Sequence, residues 1–153
     1  MPSRRERLLG YAFVAAQSVL FVLIFSPRRG ARRSPALRVA AGLAMGTGAV
    51  VASAGARELG ADLTPMPLPR EGTHLRTGGA YAVVRHPVYT GVMAACAVRG
   101  LTAGGRLRPA SAAALCALLA VKARWEERQL RALFPEYEEY ARRTPRFLPR
   151  SRR

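Results

Sequence analysis

The sequence is poor in acid, in lysine and in cysteine, and nothing in it alternates like a strand. Nine acidic residues stand against 25 basic ones, a formal net charge of +16 over 153 residues. On a soluble domain that imbalance would point to nucleic acid. Here the basic residues punctuate hydrophobic runs and form no continuous stripe, so attraction to anionic lipid headgroups accounts for them more simply, and no nucleic-acid partner is expected. Of those 25, Lys122 is the single lysine and the rest are arginine. The two cysteines, Cys96 and Cys116, lie inside apolar blocks without zinc or redox spacing. They read as small packing residues, and no metal site is expected. No strand runs into a glycine-rich turn and helix, which excludes a soluble Rossmann-type domain.

What the sequence does have is four apolar blocks. The first, Leu8 to Phe25, is flanked by Arg4, Arg5 and Arg7 before it and Arg28 and Arg29 after it. Eighteen residues nearly free of charge suffice for a membrane helix. The run ends in Ser26-Pro27-Arg28-Arg29 without a small-residue cleavage pattern, so an uncleaved anchor is expected. The second block, Leu37 to Ala56, is rich in Ala, Gly and Val. Its Gly42 and Gly46 form a GxxxG, a pattern that lets membrane helices approach closely, and it is expected to pack against the first helix.

The third and fourth blocks are shorter. Val88 to Ala103 is interrupted by Arg99, and Ala110 to Ala123 spans fourteen residues before Arg124. Sixteen helical residues rise about 24 Å, short of a hydrocarbon core of roughly 30 Å. The linker from Gly100 to Pro109 holds three glycines and a proline, which marks a turn. The pair therefore predicts a short helical hairpin that brings Arg85–Gly91 beside Arg124–Leu130. The expected architecture is all-α, an integral membrane bundle of about four transmembrane helices with a C-terminal amphipathic helix. Residues 1–56 form an N-terminal two-helix hairpin, and 57–153 the ligand-binding region of the same domain. With four crossings, seventeen basic residues fall on the side of the termini and eight on the other. That bias places both termini in the cytoplasm.

The polar segments carry the chemistry. Arg57 to His86, with prolines at 65, 67 and 69, is a loop. It leads into Gly79-Ala80-Tyr81 and then Arg85-His86-Pro87-Val88-Tyr89-Thr90-Gly91. Pro87 suits the first position of a helix, which puts Arg85 and His86 at a helix mouth that favours an anion. At the other end, Arg124-Trp125-Glu126-Glu127 sets two carboxylates against the helix dipole. Glu127 with Arg131 forms a favourable i,i+4 pair, a solvated-face reading of the same residues. Pro135 can start a short helix presenting Tyr137 and Tyr140 to a membrane interface.

Together, Tyr81, Arg85-His86-Pro87-x-Tyr89-x-Gly91, Glu126-Glu127-x-x-Leu130, Phe134, Tyr137, Tyr140 and Pro145 resemble the isoprenylcysteine carboxyl methyltransferase family, within a wider group that includes phospholipid methyltransferases. The match covers residues 57–149. Pro135 replaces the glycine that many relatives carry after the phenylalanine, and the N-terminal half matches nothing diagnostic. The resemblance implies a membrane methyltransferase that uses S-adenosylmethionine. His86, Tyr89, Glu127 and Glu126 would contact that cofactor, with Tyr81 and Gly91 in the same motifs. Arg85 and Arg124 would hold an anionic group of a lipid-like or prenylated substrate for methyl esterification. Two alternatives stand beside it: an amine or phospholipid N-methyltransferase of the same fold, and a non-catalytic basic membrane protein that binds anionic lipids.

Overall fold

A computed structural model describes residues 3–27, 33–68, 72, 74–102 and 104–149. Among these the secondary structure is entirely helical: α1 (Arg4–Phe25), α2 (Pro35–Leu59), α3 (Ala80–Val83), α4 (Pro87–Thr102), α5 (Leu107–Leu133) and α6 (Tyr137–Arg143), with a 3-10 turn at Gly60–Asp62.

Local chemistry starts each long helix. Ser3 caps α1: its hydroxyl accepts from the Glu6 N–H at 3.2 Å, and the Glu6 carboxylate accepts from the Ser3 N–H at 2.6 Å. The Ser34 hydroxyl caps α2, accepting from the Leu37 N–H at 3.3 Å, with Pro35 at the first helical position. Before α5 the chain reverses through Gly104 and Gly105, both at positive φ, where a side chain would be strained.

α1 and α2 are long and apolar enough to cross a membrane. Their outward side chains, among them Val19, Val22, Val39, Leu43 and Val50, are exposed in the isolated chain. α1 runs antiparallel along α5. Ser26 O accepts from Arg108 at 2.8 Å at one end, Gln17 meets Lys122 at 3.0 Å midway, and Glu6 meets Gln129 at 3.4 Å at the other. α2 runs antiparallel along α4. A Cβ on Gly48 would come within 2.7 Å of Gly91 O, and one on Gly55 within 2.7 Å of the Pro87 ring. α4 and α5 form the central hairpin between them, around a core of Ile24, Cys96, Ala112, Leu115 and Leu119.

Two expectations change here. The GxxxG residues Gly42 and Gly46 have nothing within 4 Å of a notional Cβ, and α1 and α2 make no contact among the described residues. The close-approach glycines are instead Gly48 and Gly55, and they serve α4. The N-terminal pair is therefore no hairpin; its two helices flank the central one. α5 is also longer than its apolar block, 27 residues or about 40 Å. Its charged last turns stay helical because Glu127 and its neighbours find partners.

Candidate functional site

The start of α4 and the C-terminal third of α5 meet, as the hairpin predicted, and two adjacent carboxylates meet different fates there. Glu127 is fully buried. One of its oxygens accepts from Arg85 Nε and Nη2 at 3.1 Å, from Arg146 Nε at 2.8 Å, and lies 3.1 Å from His86 Nε2. The other accepts from Arg146 Nη2 at 2.6 Å, with Arg131 at 3.8 Å. Burial alone would raise the Glu127 carboxyl. The hydrogen bonds from Arg146 and His86, with the charges of His86 and Arg85, outweigh it and hold the group well below the usual carboxylate range. Glu127 is a buried ionic hub, neither a solvated surface group nor a wall of the cavity beside it.

The same hub ties down the chain after α6. Arg85 Nη1 donates to Ala141 O at 2.8 Å and to Thr144 O. The Arg85 and His86 N–H groups donate to Pro145 O at 2.8 Å and Arg146 O at 3.2 Å, and Thr90 Oγ1 donates to Phe147 O at 3.0 Å. The helix mouth that was expected to attract an anion is thus occupied by the chain's own carbonyls. Tyr137 and Tyr140, expected at a membrane interface, are buried beneath this strap. Tyr140 donates to Tyr81 O at 2.7 Å, and burial pushes its phenol up to about 12.

Glu126 points the other way, into a cavity of about 130 Å³. Its carboxylate accepts from Tyr89 OH at 3.0 Å, and its side chain is 29% exposed. His86 stacks on Tyr89 with ring centroids 5.4 Å apart. Tyr81 completes this wall; burial and then the charge of Glu126 raise its phenol well above the ordinary value, so it stays a neutral donor. Tyr137 also lines the cavity, while its hydroxyl is buried and has no hydrogen-bond partner among the described residues. Leu59, Leu63, Leu75, Val88 and Leu130 add apolar surface to the wall, and Thr64 and His74 polar surface.

A roof between α2 and α3 covers the chamber. Arg76 pairs with Asp62 at 3.3 Å, and Lys122, itself buried, donates to Pro65 O at 2.7 Å and to Gln17 at 3.0 Å. Met66 of the roof seats its sulfur against Gly10 of α1.

Of the residues singled out from sequence, Tyr81, His86, Tyr89, Glu126 and Arg85 line the chamber. Arg85 is spent on Glu127 and the strap. Arg124 is exposed on the outside of α5 and does not reach the chamber. Gly91 is a packing position: a Cβ there would strike Gly48 O and lie 2.5 Å from Ala52 N. Sequence reasoning missed Arg146, Lys122, Asp62 and Arg76. Lys122 carried a signal, as the single lysine among arginines beside an apolar block. Among the described residues no group of three or more His, Cys, Asp or Glu side chains gathers to hold a metal ion.

Comparison with known proteins gives a different functional context from the motif resemblance. No family model matches the chain, and no solved structure does. The chain is similar to the cobalt-zinc-cadmium resistance protein CzcN of Cupriavidus metallidurans, 35% identical over 82 residues that make up 53% of this chain and 38% of that protein. It is equally similar, over the same shares, to the nickel-cobalt-cadmium resistance protein NccN of Alcaligenes xylosoxydans xylosoxydans. The chain thus spans well under half the length of the curated relatives it matches. These relatives overturn the isoprenylcysteine carboxyl methyltransferase reading, and with it the assignment as a methyl-transferring enzyme: the proteins it matches are named for resistance to metals.

Proposed function

We propose that this chain is a membrane-embedded helical protein of divalent transition-metal resistance, whose chamber holds a small organic ligand. The observation that carries the reading is the 35% identity to two proteins named for cobalt, zinc, cadmium and nickel resistance. The chamber supplies the chemistry. A partly exposed carboxylate beside two tyrosines, among apolar side chains, suits a small molecule with a cationic or hydrogen-bond-donating head. S-adenosylmethionine has such a head and stands as one candidate, as a bound molecule. No three His, Cys, Asp or Glu side chains gather here among the described residues, and Glu126 and His86 bond Tyr89 and Glu127, which favours an organic ligand over a metal ion. The metal is the stress that the protein answers, and the chamber acts on it through the ligand.

The antiparallel registers of α1 with α5 and of α2 with α4 support four crossings, with the start of α1 and the end of α5 on the chamber side. That side carries most of the arginine, which supports a cytoplasmic chamber.

The test is tolerance. A host lacking the gene should grow poorly on cobalt, zinc, cadmium or nickel and recover with the wild-type chain. Unchanged tolerance to all four metals after deletion would overturn the reading.

A further inference from the structure

We propose that the chamber end of the bundle carries an arginine collar that binds the anionic headgroups of one membrane leaflet. The inference rests on the membrane reading of α1 and α2, and it adds a partner that the relatives' names do not mention.

The registers fix which residues share that end. Glu6 lies beside Gln129, and Gly55 beside Pro87, so the start of α1, the last turns of α5 and the end of α2 are level with the chamber. Six arginines ring this end: Arg4, Arg5 and Arg7 on α1, Arg57 on α2, and Arg124 and Arg128 on α5. All six are exposed. None of their side chains has a hydrogen-bond or ion-pair partner among the described residues. The contrast with their neighbours is chemical. Arg76, Arg85, Arg131, Arg143 and Arg146 each have a carboxylate within 4 Å. Asp62, Glu127, Glu138 and Glu139 are engaged by those arginines, and none of the six collar arginines has a carboxylate within 4 Å among the described residues.

A soluble acidic partner would need only the charge. Here the charge sits directly above an apolar skirt, with Leu8, Leu9 and Tyr11 between 50% and 62% exposed one turn below Arg7. Trp125, adjacent to Arg124, packs on Phe13 with ring centroids 6.3 Å apart. Arginine over exposed aliphatic and aromatic side chains matches a headgroup layer over acyl chains. That favours a lipid leaflet over an acidic protein.

Trp125 is the chain's single tryptophan, so it reports on lipid beside the collar. The full chain is reconstituted in vesicles of phosphatidylcholine mixed equally with phosphatidylglycerol, with one lipid or the other brominated, and quenching of Trp125 is measured. Brominated phosphatidylglycerol should be preferred by roughly five-fold or more at low salt, the weight of about one engaged arginine. The preference should shrink as salt is raised. R124Q/R128Q should reduce it to below about two-fold, while Arg106→Gln, at the opposite end, should leave it intact. Equal quenching by the two lipids would overturn the collar. So would a preference unaffected by R124Q/R128Q, which would leave these arginines to a soluble acidic partner. Absence of quenching by both lipids would instead strike the membrane reading itself.

Discussion

The ionic hub around Glu127 makes a quantitative prediction. Glu127→Gln preserves the shape of the side chain and removes its charge. Glu127 is fully buried and holds Arg85 and Arg146, whose side chains are 9% and 30% exposed. An amide can accept on one side only, and its NH2 group would face the guanidinium groups. Removing one partner of a buried ion pair costs about 3–5 kcal/mol, because the remaining charges stay behind without compensation. For a chain of this size each kcal/mol moves Tm by about 2–4 °C, so the variant should melt roughly 6–20 °C lower. Glu126→Gln, one residue earlier, is the internal control. Its carboxylate has a single hydrogen bond, to Tyr89, and it should cost less than about 1.5 kcal/mol. Thermal melts in detergent, followed by Trp125 fluorescence, separate the two. A Glu127→Gln melt within about 2 °C of wild type would refute the hub as a stabilising element.

Three further outcomes follow from the same geometry. Acid should weaken the wild type more than Glu127→Gln. Glu127 is depressed in the folded state from an ordinary value of 4.5, so its contribution is complete above that pH and drains as the pH falls towards the folded value; equal losses of Tm between pH 5 and pH 3 would contradict this. Gly91→Val should abolish close packing of α2 on α4 at a cost of about 1–3 kcal/mol or more, while Gly42→Ala, with open space around it, should change Tm by no more than about 2 °C. Lys122→Met should release the roof from Pro65 O and Gln17 at a cost of about 1–3 kcal/mol, seen as faster proteolysis between Leu63 and Arg76; unaltered cleavage would show that the roof is held elsewhere.

Much of the fold could be read directly, and the limits have physical causes. Long apolar runs flanked by arginine marked α1 and α2, because helix length and charge placement are local properties. The meeting of α4 with α5 followed from one glycine-rich turn. Helix partners were harder, since a GxxxG says that a face can be approached closely and not by what. Gly48 opposite Gly91, and Gly55, seven residues on, opposite Pro87, were the pattern that counted. Arg146 was invisible for a related reason: one arginine in a basic tail does not announce that it crosses to Glu127. The same hub explains why the motif misled on function. Arg85 and His86 both bond Glu127, so their spacing records a packing network before it records any reaction. The curated relatives, not the motif, supplied the context.

The account stands most directly on whether the chamber serves metal tolerance. A host deleted for the gene is supplied with wild type, Glu126→Gln or Arg124→Gln, and growth is followed across graded cobalt, zinc, cadmium and nickel, with Tm and membrane levels of each protein checked. Wild type and Arg124→Gln should restore tolerance, while Glu126→Gln, folded and present at normal levels, should lose most of it. Full tolerance with Glu126→Gln would contradict a role for the chamber.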